Sequence, residues 1–250
     1  MKDISIERHN AEIQENLKNW AKKTILHTIY KEFYQLIGKQ IDYSVKGPIV
    51  ELGSGIGNIK LEIPDAICTD LFENPWIDQV ENAYKLSFDD SSISNLILFD
   101  VFHHIQYPGT ALAEFHRVLK PDGRVVIFDP SISFTGLIVY GLFHHEPVAL
   151  MKKIQWSSPA EFNPWLVHYY AAQGNAERIF FTDKYSNKLQ DWSIIIKHKY
   201  SALVYILSGG YSKPQLFSSK HYNILKQVEK AMDRFPGLFG TRSLIVLKKK

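Results

Sequence analysis

Apolar and polar positions follow two different rhythms along this chain. Over residues 4–37 the apolar positions Ile13, Leu17, Trp20, Ile25, Ile29, Phe33 and Leu36 recur at steps of three to five. That spacing predicts one or two amphipathic helices, closed by Gly38 and packed on a sheet edge or over a pocket. Beyond Gly47-Pro48 the rhythm changes to short, nearly continuous apolar runs: Ile49 to Leu52, Ala66 to Asp70, Asn95 to Ile105, Arg124 to Asp129, Trp192 to Lys199 and Ser243 to Leu247. Runs of this kind suit strands covered on both faces, as in a parallel sheet. Pro108 to Leu119 returns to helical spacing, with Leu112, Phe115, Val118 and Leu119 facing in, and residues 219–234 do the same. Lys120-Pro121-Asp122-Gly123 reads as a turn. Strands alternating with helices imply an α/β domain. It divides into a helical arm (1–47), a core (48–130), an aromatic insertion (131–191) and C-terminal strands with a helix (192–250). No internal repeat interrupts this order.

Composition changes the picture little. The 250 residues are 45% apolar and 22% charged, enough for one buried core. A net charge of +3 does not point to nucleic acid. Cys68 is the only cysteine, which excludes an intrachain disulfide and suits a reducing cytoplasm. The polar N-terminus lacks the apolar segment of a signal peptide. The longest uncharged apolar run, Ile132 to Phe143, is about half a membrane span.

The stretch with the most chemistry is Pro-Ile-Val-Glu-Leu-Gly-Ser-Gly-Ile-Gly-Asn-Ile-Lys, residues 48–60. It predicts a strand, a glycine turn and then a helix, whose free N–H groups would face the same space as the turn. Gly53, Gly55 and Gly57 let a ligand lie against the main chain, with Ser54 between them. A dinucleotide site would need a third glycine at position 58, which is Asn58. Glu51 before the turn would repel a pyrophosphate and attract an ammonium group. The ligand should therefore be nucleotide-like, cationic and free of phosphate. Asp70 follows Gly53 by 17 residues, near the spacing at which an acid meets a ribose.

In these residues the chain resembles the class I S-adenosylmethionine-dependent methyltransferases, of the methyltransferase type 11 kind. "FHHI" at 102–105 and "RVLKPDGRVVIFDP" at 117–130 fit the same pattern. The resemblance implies a Rossmann-like, doubly wound, mostly parallel seven-stranded sheet with an antiparallel last strand, and S-adenosylmethionine as cofactor. It places Glu51, Gly53, Ser54, Gly55, Gly57, Asp70, Leu71, Asn82, Ala83 and Phe99 around that cofactor. Asn82-Ala83 stands where the family has Asp-Ala at the adenine edge, and Leu86-Ser87-Phe88 where it has Leu-Pro-Phe. More loosely, the whole chain resembles a bacterial group of methyltransferases with a helical arm and a Phe-His-His-Glu-Pro segment, here residues 143–147.

Transfer to a hydroxyl or protonated amine needs a base, and histidine suits neutral pH. Asp100, His103 and His104 should border the pocket, because ligands lie at the carboxyl ends of the strands. His104 and His145 are the candidate bases, with Asp129 and Glu146 able to orient an imidazole. Neighbouring residues on a strand or loop point apart, so one histidine of each pair should be structural. No His-x₃-His or similar spacing appears, so no metal is expected. The insertion reads as a lid and acceptor site, most of its aromatics belonging to a helical packing layer. Its aromatics and the lack of a basic stripe favour a small or conjugated acceptor, a saccharide among them, over nucleic acid. A non-catalytic binding protein and a nicotinamide oxidoreductase are the competing readings. Oligomeric state is open.

Overall fold

The computed structural model describes residues 6–143, 146–150, 152–166 and 169–250. The chain opens with α1 (Ile6–Lys22) and α2 (Thr24–Gly38), then enters β1 (Ile49–Leu52). Next come β2 (Ile67–Asp70), β3 (Gln79–Val80) and β4 (Ile93–Phe99). A helix α3 (Pro108–Val118) leads to β5 (Leu119–Pro130). The insertion holds α4 (Phe134–Ile138) and α5 (Asn175–Phe180). The chain closes with β6 (Trp192–Tyr200), α6 (Leu203–Ser208), α7 (Tyr222–Met232), α8 (Pro236–Phe239) and β7 (Arg242–Lys249).

The seven strands form one sheet in the order β3-β2-β1-β4-β5-β7-β6. β1 to β5 pair parallel, and β7 runs antiparallel between β5 and β6. Side chains alternate between two cores, as the pleat requires. Leu96, Leu98, Val125, Ile127, Ile245 and Leu247 face α3 and α5. Ile97, Phe99, Val126, Phe128, Leu244 and Val246 face α2 and α6.

The helix expected after the glycine turn is a single 3-10 turn, Asn58–Leu61. Only residues 53–66 join β1 to β2; the turn uses the first five and Pro64 blocks helix near the end. The links from β2 to β3 and from β3 to β4 carry no helix either. The arm supplies the missing layer. α2 places Ile25, Leu26, Ile29, Phe33 and Ile37 at helical spacing and buries all five against the sheet. Phe33 packs edge-on to Phe99 at 5.9 Å and tilted to Phe128 at 5.0 Å.

The insertion departs from a helical layer. α5 does belong to the core, with Ile179 and Phe180 buried beside Phe102. The described residues between 146 and 174 are irregular apart from a bridge between Val148 and Gln173. Several aromatics there face outward, among them Phe134, Phe143 and Trp165.

Candidate functional site

The site lies beyond the carboxyl ends of β1, β4 and β5. The glycine turn bends through left-handed backbone at Gly53, Gly55 and Gly57. Gly53 must be glycine: a Cβ there would meet Val101 Cγ2 at 2.4 Å. Above Gly55 nothing lies within 4 Å of a Cβ position, so that face of the turn is open. No helix of useful length starts here, so the dipole that would hold a pyrophosphate is absent. Asn58 instead donates to the Tyr211 hydroxyl.

Glu51 is 1% exposed. Tyr34 of α2 donates to its Oε1 at 3.0 Å, while Oε2 is buried with no partner among the described residues. Burial, chiefly, pushes the Glu51 carboxyl up to about 7, against the hydrogen bond from Tyr34; the Ser54 hydroxyl donates to the Glu51 backbone carbonyl. An orphaned carboxylate oxygen beside an open glycine cradle fits a cationic, phosphate-free ligand. Asp70 is already engaged. It accepts from the Gly55 and Leu71 N–H groups at 3.0 and 2.7 Å. His9 of α1 stands 3.3 Å from it. Burial lowers the His9 pKa, but the bond and charge of Asp70 outweigh it, and the net direction is up.

A cavity of about 910 Å³ runs from the glycine turn to the exit of β4. Gly53, Ser54, Gly55, Phe99, His104 and Glu146 line it. Glu51, Gly57, Asp70, Leu71, Asn82 and Ala83 do not; His9 of α1 lies against Asp70, the 163–165 loop lies against Asn82, and Leu71 and Ala83 are half-buried. Asn82 is 3% exposed and spent, accepting from the Tyr84 N–H and donating to Pro164 O. Gly57 shapes the turn from below, where a Cβ would stand 2.8 Å from Trp76 O. Asp100 and His103 line the cavity as expected.

A second group gathers at the far end. Phe102–His104 is a 3-10 turn, so the two histidines are a third of a turn apart rather than on opposite faces. This corrects the expectation that one of the pair points away: the rings are 4.1 Å apart, and both Nε2 atoms reach Glu146. His103, 3% exposed, donates from Nδ1 to Asp129 Oδ1 at 2.9 Å and sets Nε2 3.3 Å from Glu146 Oε2. His104 donates from Nδ1 to Tyr170 O at 2.9 Å and sets Nε2 3.4 Å from Glu146 Oε1. Tyr169 and Gln173 also donate to Glu146. Burial works against the His103 charge, but Asp129 and Glu146 raise its pKa to about 10. Burial and the His103 charge lower that of His104. Burial also opposes the Glu146 charge, yet His103 and His104 hold its carboxyl well below the ordinary range. Asp129, fully buried, serves His103 rather than His104. His145 lies outside the described residues.

Two parts of the cavity had little signal in the sequence. Gly209, Gly210 and Tyr211 of the Ser208-Gly209-Gly210-Tyr211 turn form one wall, and Lys23 between α1 and α2 donates to the Ser208 and Gly210 carbonyls. Arg242 is 2% exposed, pairs with Asp100 and lies 4.6 Å over the Tyr205 ring. Its only mark in the sequence is a charge opening an apolar strand. Asp100 itself sits in left-handed backbone at φ 57, a strained conformation that Arg242 helps hold.

The profile of a methyltransferase domain family matches residues 51–127. Among solved structures, a SAM-dependent methyltransferase from Thermotoga maritima, described as a possible histamine N-methyltransferase, superposes with a TM-score of 0.56 at 14% identity, over 95% of this chain and 99% of that one. Geranyl diphosphate C-methyltransferase from Streptomyces coelicolor A3(2) gives 0.53 at 11% identity, over 90% of this chain and 81% of that one. A SAM-dependent methyltransferase from Archaeoglobus fulgidus gives 0.50 at 14%, over 90% and 94%. No curated protein is a significant match. The chain has a class I S-adenosylmethionine-dependent methyltransferase-like fold.

Proposed function

We propose that this protein is an S-adenosylmethionine-dependent methyltransferase acting on oxygen or nitrogen of a small or conjugated acceptor. One observation carries the reading: a single cavity joins the open glycine turn to the cluster of His103, His104 and Glu146. When bound, S-adenosylmethionine supplies an electrophilic methyl group on a sulfonium. The chain therefore has to position an acceptor and exclude water, not activate a donor.

At the cofactor end, Glu51 faces the ammonium group, and Gly53, Ser54 and Gly55 let the ligand lie on the backbone. Asp70 meets the ribose once His9 gives way. Phe99 borders the adenine side, and Leu71, Asn82 and Ala83 border it once the covering segments move aside, Asn82 through backbone and shape because its side chain is spent. At the acceptor end, His104 and Glu146 hold the nucleophilic atom and can take its proton, while Asp129 fixes the ring of His103. Tyr30, Tyr34, Tyr140, Tyr205 and Tyr211 line the space between. That aromatic wall suits a planar or saccharide acceptor. Among the described residues no helix is long and apolar enough to cross a membrane.

Incubating the protein with methyl-labelled S-adenosylmethionine and fractionated host extract tests this reading. Label in polar small molecules or glycoconjugates is the expected result. Label confined to RNA or protein, or none at all, would contradict it.

A further inference from the structure

The orientation of His103 and His104 asks for a cation between them and Glu146. Each ring has its Nδ1–H committed, one to the Asp129 carboxylate and one to the Tyr170 carbonyl. A neutral imidazole bonded in that way turns the lone pair of Nε2 outward. Both lone pairs then aim at oxygens of one carboxylate, at 3.3 and 3.4 Å. That arrangement needs positive charge between the rings and the carboxylate, which a proton on His103 supplies in an ion's absence and a metal cation bound there would replace.

We infer that His103, His104 and Glu146 form a binding site for a divalent transition-metal ion of the zinc or iron(II) class. The three donor atoms lie within 4.8 Å of one another. Two ligand atoms bound to one tetrahedral centre at 2.0–2.1 Å stand about 3.3–3.4 Å apart, which is the separation of each Nε2 from its carboxylate oxygen. Two histidines and one carboxylate leave positions open for an outside ligand. Those positions face the cavity, which all three residues line.

The surroundings are those of a supported metal site. Ligating histidines characteristically donate their second N–H to a carboxylate or a backbone carbonyl, and ligating carboxylates are themselves hydrogen-bonded. Here Asp129 and Tyr170 O serve the histidines, while Tyr169 and Gln173 serve Glu146. His103 is more than nine-tenths buried, and His104 is about a third exposed. The sequence spacing argued against a metal because it considered ligands within one element. The ligands come from a 3-10 turn after β4 and from the insertion, 42 residues on.

This deepens the proposed function. With the ion in place His104 would be a ligand rather than a base, and the open position would take an oxygen or nitrogen donor of the acceptor, whose proton passes to solvent as the metal lowers its pKa. Only that last step rests on the methyltransferase reading; metal binding stands without it.

The test uses chelator-stripped full-length protein titrated with Zn²⁺ by calorimetry and with Co²⁺ by visible absorption. Wild type is compared with Glu146→Gln, His104→Ala and Asp129→Asn, and each sample is also titrated with S-adenosylhomocysteine. The expected result is one equivalent of Co²⁺ with ligand-field bands. Affinity should fall at least 100-fold in Glu146→Gln and His104→Ala, and about 10- to 100-fold in Asp129→Asn, where only the supporting shell is lost. S-adenosylhomocysteine binding should persist in all four. Wild-type metal affinity equal to that of the Glu146→Gln and His104→Ala proteins overturns the site and leaves a proton as the shared cation. Metal binding without S-adenosylhomocysteine binding in the wild type upholds the site and overturns the methyltransferase reading instead.

Discussion

Gly53 and Gly55 stand two residues apart in one turn, yet a methyl group added at each has a different consequence. At Gly53 it would meet Val101 Cγ2 at 2.4 Å in left-handed backbone. Gly53→Ala should lose stability by about 2–4 kcal/mol, from backbone strain and overpacking together. At Gly55 the methyl enters open space. Gly55→Ala should cost only about 1–2 kcal/mol, yet lose S-adenosylhomocysteine binding. Thermal melts and calorimetry on the two variants check the contrast. Glu51 makes a prediction with a sign. Its folded pKa of about 7 lies above the ordinary 4.5, so the folded state keeps a proton that the unfolded state has lost. Stability therefore falls as pH rises between those values, by about 3 kcal/mol in all. Denaturant titrations of wild type and Glu51→Gln should show this slope in the wild type alone. Cofactor binding should run the other way, weakening below pH 7 as the carboxyl becomes neutral.

At the scale of elements, the arm does two jobs. α2 substitutes for the helix layer that the short β1–β2 link cannot supply. Phe33→Ala should cost about 3–5 kcal/mol, read as a lowered denaturant midpoint. S-adenosylhomocysteine should still bind the folded fraction, since Phe33 does not line the cavity. α1 covers Asp70 through His9. If Asp70 serves the ribose, His9 competes with the ligand for it. His9→Ala should then tighten S-adenosylhomocysteine about two- to fivefold, the worth of a partly exposed ion pair. Weaker binding would make His9 a holder of the cofactor instead. Six strands and the larger helices were legible because their apolar periods are clean; β3, only two residues long, carries no such period. The missing helix was not, because a glycine turn announces a bend without specifying the element after it. Pro64, nine residues beyond Gly55, was the one local signal against a helix there.

At the scale of the molecule, the sheet order brings together residues far apart in the sequence. The turn after β1, the exit of β4, the start of β7 and residue 146 converge on one cavity. Local patterning exposed the glycine turn, Glu51 and the histidine pair, since each announces its chemistry in a few residues. It could not expose the meeting of Glu146 with His103, the Arg242–Asp100 pair or the 209–211 wall, which depend on tertiary packing alone. Nor could it show that the Asn82 side chain is bonded to the Tyr84 N–H and Pro164 O. Binding of a cationic, phosphate-free nucleoside beside Glu51 is the claim on which the rest of the account stands. Calorimetric titration with S-adenosylhomocysteine at pH 8, repeated on Glu51→Gln, tests it most directly. The account predicts one site in the wild type, weakened about 10- to 100-fold in the variant, the worth of a hydrogen bond to a charged group. No binding to the wild type, or binding of NAD in its place, would contradict it.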